Sequence, residues 1–110
     1  KLEELLQTNA VKFIQEYEFP ELLSPNGKPL RFDFAILDDN GNLDFLIEYN
    51  GKQHYEPVAK FGGKRGLYQQ QYNDTKKKRF CALKHINLVI IPYTDENLIS
   101  YDYIFKKAGY

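Results

Sequence analysis

The chain has 110 residues and a mass of 13.0 kDa, with 43% hydrophobic and 27% charged side chains, a composition that fits one compact domain (residues 1–110) and excludes wholesale disorder. Its apolar runs, such as Leu88–Pro92, are far too short to cross a bilayer, and the lone Cys81 excludes an internal disulfide and a cysteine-rich zinc site. Net charge is zero, yet residues 60–84 carry eight lysines and arginines against Asp74 alone, so a +7 segment is set against a −7 remainder.

Leu2, Leu5 and Leu6 have helical spacing, with Glu3 and Glu4 early and Thr8-Asn9 closing a short helix. Val11–Phe19 is rich in β-branched and aromatic residues and predicts a strand ended by Pro20. After the turn signal Ser24–Gly27, Leu30–Leu37 and Leu43–Asn50 flank an Asp/Asn/Gly break and predict a hairpin. Gly51–Gly66 holds four glycines and a proline and predicts a loop. Leu67–Lys84, free of both, predicts a helix of about five turns. Asn87–Pro92 predicts a short buried strand, and Asp95–Lys107 a terminal helix capped by Thr94. The order α-β-β-β-α-β-α, with a helical crossover, predicts an α/β domain: a mixed central sheet flanked by helices. No apolar signal-peptide core precedes it, and the chain opens at Lys1 instead of Met, so a piece of a longer cytoplasmic protein is expected, with no membrane contact.

Several polar residues sit where strands should be apolar. Asp33 lies between Phe32 and Phe34; strict alternation puts Phe32, Phe34 and Ile36 on one face and Asp33, Ala35 and Leu37 on the other. Glu48 ends the apolar run LDFLIEYNG. A single such acid can be a strand-end carboxylate turned to water; two on consecutive strands point to a shared cleft or a cation. Gln53 and His54 follow in GKQHY, and an imidazole there can accept a proton near neutrality, although a lone loop histidine is commonly just a surface residue. His85 has the position of a partner for the helix C-terminal dipole. Asp74, Lys78 and Cys81 fall in one helical stripe with Lys77 at its edge, which fits either local Asp–Lys pairs or a group aimed at the same cleft.

These residue types suit phosphodiester hydrolysis. Carboxylates favour Mg²⁺, a histidine can activate water, a lysine can offset developing charge, and a basic helix and loop can hold phosphates. Lys52, Lys60, Lys64, Arg65, Lys76 and Lys78 are the candidate backbone contacts. Tyr55, Phe61, Tyr68 and Tyr72 are interleaved with them; for most of these aromatics core packing is expected, and wedging against a duplex is the alternative.

The joint pattern FDF…IEYNGKQHY…FGG…Q..ND..K…NLVIIPY, from Leu5 to Tyr93, resembles the PD-(D/E)XK nuclease superfamily. More narrowly, it is similar to very-short-patch mismatch-repair endonucleases and to the phage EDxHD homing endonucleases related to them. The resemblance implies a restriction-endonuclease-like α-β-β-β-α-β core with an extra C-terminal helix, and Mg²⁺-dependent cleavage of double-stranded DNA to 5′-phosphate and 3′-hydroxyl ends. Carried over by position, Asp33 matches the first metal aspartate, Glu48 the second acid, His54 the base and Asp74 the last acid, with Asp33, Glu48 and Asp74 as metal ligands. Gln53 and Lys77 match polar site positions. The superfamily's second-motif lysine falls at Asn50, so a lysine must come from Lys52, Lys77 or Lys78. The structural zinc ligands of the repair enzymes are missing, so no zinc is expected, while Mn²⁺ is expected to substitute for Mg²⁺. The motif's first-helix glutamate falls just before Lys1, with Glu3 and Glu4 as nearby replacements.

The reading that follows is a homing-type endonuclease catalytic domain. A mismatch-nicking repair enzyme, an inactive nucleic-acid-binding module of the same fold, and an interaction domain with a merely solvated basic face are the alternatives. Cutting both strands with one active site would call for a homodimer or for re-engagement.

Overall fold

The computed structural model describes all residues from 1 to 110. Its elements are α1 (Leu2–Thr8), β1 (Phe13–Leu23), β2 (Pro29–Leu37), β3 (Leu43–Asn50), α2 (Gly63–Lys84), β4 (Asn87–Pro92) and α3 (Tyr101–Lys107). The four strands form one sheet in the order β1-β2-β3-β4, antiparallel except for the parallel β3–β4 pair that α2 connects. The result is an α/β domain with a mixed sheet flanked by helices.

Both faces of the sheet are covered. Phe34, Ile36, Phe45, Ile47, Val89 and Ile91 pack against Leu2 and Leu6 of α1 and Ile104 of α3. Phe32, Ala35 and Leu46 pack on the opposite face with Leu22 and with Cys81 of α2. No helix is long and apolar enough to cross a membrane.

Phe32 therefore does not share a face with Phe34 and Ile36, contrary to strict alternation. The neighbouring strand changes face at the same level: Phe13 joins the first layer, Tyr17 and Phe19 the second. The change falls at Glu16, which has φ 52° and lies between the pairs Gln15–Phe34 and Tyr17–Phe32, level with Asp33. A left-handed backbone costs a non-glycine residue roughly 1–2 kcal/mol, so packing on both sides of this level must hold it.

Three element boundaries differ from those expected. β1 starts at Phe13 and runs through Pro20 to Leu23, because it is an edge strand bonded only to β2, and its register shifts between Glu18 and Leu23. A proline, having no N–H, is tolerated at such an edge. The segment read as a loop holds 3₁₀ turns at Lys52–His54 and Ala59–Phe61, and α2 already begins at Gly63. Its Gly66 is there for space: a Cβ would lie 1.8 Å from the Phe61 carbonyl oxygen. The expected helix over Asp95–Lys107 is two pieces, a 3₁₀ turn (Tyr93–Leu98) and α3, and the cap is Ser100, whose Oγ accepts the Tyr103 N–H, instead of Thr94. His85 ends α2 through its own left-handed backbone, φ 57°.

Gly66→Ala should destabilise the fold by roughly 1–3 kcal/mol, the cost of overpacking, measured by urea denaturation. The sign is opposite to the gain that glycine-to-alanine replacement inside a helix usually brings.

Candidate active site

The site begins where β2 and β3 part. Their ladder's last pair toward the site is Phe34–Ile47, while β3 stays paired with β4 as far as Asn50–Pro92. Beyond that point side chains take over the ladder's work. Glu48 Oε1 accepts the Asp33 N–H at 2.9 Å, and Asp33 Oδ2 accepts the Tyr49 N–H at 2.7 Å. Two half-buried backbone donors that a splayed sheet would orphan are thereby satisfied by carboxylates.

Glu48 is buried, and its other oxygen receives the Lys77 ammonium at 2.8 Å. Lys77 reaches in from α2 with its ammonium 5.3 Å from the Phe32 ring centroid. Burial pushes the Glu48 carboxyl above the ordinary range, and the Lys77 charge opposes it. Burial likewise raises Asp33, against the Tyr49 N–H and the Lys77 charge, with Glu16 adding to the rise. Asn50 is buried with Oδ1 unpaired, and the cation beside Glu48 comes from α2.

Asp33 also lines a cleft of about 420 Å³ together with Glu3, Glu16, Tyr49 and Glu96. Of the two first-helix glutamates, Glu3 reaches this cleft and Glu4 does not. Glu16, Tyr49 and Glu96 were not anticipated. Register places Glu16 level with Asp33, and so was a usable signal; Glu96 arrives from a distant turn and accepts the Tyr49 hydroxyl at 3.1 Å.

The 3₁₀ turn after β3 brings His54 against α2. Its Nδ1 lies 2.8 Å from Asp74 Oδ2, and Gln70 Nε2 donates to Asp74 Oδ1 at 3.3 Å. A carboxylate acceptor at Nδ1 fixes the proton there and leaves Nε2 as the basic nitrogen. The imidazole stands close enough to Asp33 for its charge to lower that carboxyl. Asp74 thus pairs with His54 across twenty positions of sequence and not with the local lysines.

The three acids have separate partners: Asp33 accepts the Tyr49 N–H, Glu48 holds Lys77 and the Asp33 N–H, and Asp74 faces His54. Both Asp74 oxygens are committed to His54 and Gln70. Gln53 is half-buried beside Gly51. Among the expected backbone contacts, Lys52, Lys60, Lys64, Arg65 and Lys78 are exposed, whereas Lys76 is tied to the Leu23 carbonyl at the end of β1. The expectation that the interleaved aromatics pack inside is overturned: Tyr55, Phe61, Tyr68 and Tyr72 are 45–66% exposed. Cys81 is buried and its thiol is pushed up to about 11, chiefly by burial, which leaves it unreactive.

No family model matches the chain, and no solved structure matches it. It is 34% identical over 87 residues to uncharacterized protein 307L of Invertebrate iridescent virus 6, a match spanning 77% of this chain and 44% of that protein. It is 39% identical over 62 residues to uncharacterized protein 094L of Frog virus 3 (54% of this chain, 40% of that protein). To uncharacterized protein 033L of Invertebrate iridescent virus 3 it is 39% identical over 78 residues (64% and 40%). The chain therefore spans less than half the length of these viral relatives.

Lys77→Met should destabilise the protein by about 3 kcal/mol at pH 8, because it strands the buried Glu48 carboxylate. The loss should shrink at pH 5, where the stranded carboxyl takes up a proton, and Glu48→Gln in the same chain should recover much of it; denaturant midpoints at both pH values check all three expectations.

Proposed function

We propose that this chain is the catalytic domain of a metal-dependent DNA endonuclease with a restriction-endonuclease-like core, of the homing type. The observation that carries the reading is the juxtaposition of two pairs. A carboxylate-oriented histidine stands beside a strand gap held open by two acids. The order α-β-β-β-α-β and the exposed basic surface of α2 agree with it.

The donor chemistry fits Mg²⁺. The cleft's polar lining around Asp33 is largely oxygen, and Asp33 Oδ1 accepts no hydrogen bond while Oδ2 is occupied. Mg²⁺ commonly takes one or two carboxylates and fills its remaining positions with water and phosphate oxygens, so a three-acid cage is not required. Asp33 would hold the ion, with Glu48 behind it, and Asp74 is reassigned from ligand to orienting group. When bound, the ion supplies positive charge to the scissile phosphate and the leaving oxygen.

The chain's own residues supply the rest. His54 Nε2 takes a proton from the attacking water as its oxygen bonds to phosphorus. The bond from phosphorus to the 3′ oxygen breaks with its electron pair going to that oxygen, which takes a proton from a solvent water, leaving a 5′-phosphate and a 3′-hydroxyl. Asp74 holds the productive tautomer and stabilises the imidazolium that forms. Lys77 opposes the rise that burial imposes on the Glu48 carboxyl, and Glu48 fixes the backbone of Asp33 through its N–H. Exposed Lys64, Arg65 and Lys78 offer the phosphate backbone a counter-charge.

Supercoiled plasmid should be nicked or linearised in Mg²⁺ or Mn²⁺ and left intact in EDTA, and Asp33→Ala or His54→Ala should lower the rate at least about a hundredfold. The rate should fall on acidification, since a protonated imidazole cannot accept a proton and Asp33, held above the ordinary carboxyl range, is neutralised in the same direction. A rate flat down to about pH 5 would remove His54 from the base role.

A further inference from the structure

The inward stripe of α2, formed by Gln70, Asp74, Lys77 and Cys81, faces the sheet and the site. At about 100° per residue, Tyr68, Tyr72, Thr75 and Arg79 lie on the opposite side of the helix. That outer side is unpartnered. Tyr68 is 66% exposed and Tyr72 55%, and with Gln71, Thr75, Lys76 and Arg79 they line a groove of about 480 Å³. Neither tyrosine stacks on another ring of the chain, whereas Tyr101 stacks on Phe105 at 4.3 Å.

Two aromatic rings one helical turn apart stand about 6 Å apart along the axis, the rise of four residues. Water-exposed aromatic surface of this kind is a cost unless something covers it. The charge around it selects what can. Of the seven basic residues of α2, Lys77 is spent inside on Glu48 and Lys84 pairs with Glu21; Lys64, Arg65, Lys78 and Arg79 stay exposed, while the helix's one acid, Asp74, is turned inward to His54, so the outer face is positive. A polyanion with flat apolar faces is complementary to both features at once. In a duplex the bases are stacked on one another and offer only phosphate and sugar to this groove. An unpaired strand offers base faces to the tyrosines and phosphates to Arg79 and its neighbours.

We infer that the outer face of α2, with Tyr68, Tyr72 and Arg79 at its centre, is a binding surface for an unpaired nucleic-acid strand, separate from the site at which Asp33 and His54 act. It shares with the proposed endonuclease reading only the choice of a nucleic-acid partner and requires no catalysis. In a cleaving enzyme it would hold a strand displaced or melted near the cut, on the far side of the helix from the reacting phosphate.

The test is fluorescence anisotropy in EDTA with a labelled single strand of about 20 nucleotides, longer than a typical single-strand site, and with the same sequence as a duplex. The unaltered chain should bind the single strand, and Tyr68→Ala with Tyr72→Ala should weaken that binding at least about tenfold while leaving duplex affinity nearly unchanged. Tyr68→Phe with Tyr72→Phe, which keeps both rings, should retain it, and Arg79→Ala should lower the salt slope by about 0.7. The inference is overturned if the single strand does not bind, if the double alanine variant binds it as well as the parent, or if that variant instead loses self-association in sedimentation velocity. Plasmid cleavage with unaltered strand binding in the alanine variant would sink this inference and leave the endonuclease reading standing. Tyrosine-dependent strand binding without cleavage would do the reverse.

Discussion

The centre of this fold depends on two hydrogen bonds across the parting of β2 and β3, from the Asp33 N–H to Glu48 and from the Tyr49 N–H to Asp33. Strands that separate leave backbone donors without partners, and buried orphans are expensive. Here each acid satisfies the N–H of the facing strand, so the gap is a stable feature with one free carboxylate oxygen at its mouth. The arrangement has an electrostatic cost, since burial raises both carboxyls, and Lys77 offsets it by placing a cation on Glu48. The Lys77 side chain can reach only because α2 crosses back over this face on its way from β3 to β4. The parallel β3–β4 pair, the crossover and the ion pair are therefore parts of one solution.

The candidate site was legible in the sequence to the extent that it broke local rules. An aspartate between two phenylalanines and a glutamate closing an apolar run are poor strand residues, and both prove to be where the strands part. Asp74 was equally visible as the sole acid in a basic segment, but its partner was not. Helical spacing offered Lys77 and Lys78, while the structure pairs it with His54, twenty residues earlier. Local patterns cannot rank a neighbour one turn away against a residue brought in by a 3₁₀ turn. For the same reason the sequence named Lys77 among three candidate lysines without singling it out for Glu48, and gave no sign of Glu96 as a wall of the cleft.

The misread boundaries have a common cause in tertiary context. Pro20 ends a strand only if both edges are bonded, and β1 has one edge free. The glycines at 62, 63 and 66 read as a loop although they start a helix: Gly62 and Gly63 supply left-handed backbone, φ 91° and 60°, and Gly66 leaves room for the Phe61 carbonyl. The tyrosines of α2 read as core because aromatic residues usually are; the inward stripe of that helix is instead largely polar, Phe80 alone of its rings packs on the core, and Tyr68 and Tyr72 face water.

The central claim is that the fold needs only an acceptor oxygen at position 33, and that the half-buried, ionisable carboxylate of Asp33 serves the proposed chemistry. Its raised carboxyl means that the folded protein binds this proton more tightly than the unfolded chain does. Ionisation at neutral pH therefore subtracts from stability, and the loss sets in as pH rises from the unfolded carboxyl range through the raised folded value. The most direct measurement compares the melting temperature and plasmid cleavage of Asp33→Asn with those of the parent at pH 7. The asparagine oxygen can still accept the Tyr49 N–H, so the account predicts an equal or higher melting temperature with cleavage lost. A melting temperature that falls by several degrees, or cleavage that persists, would contradict it.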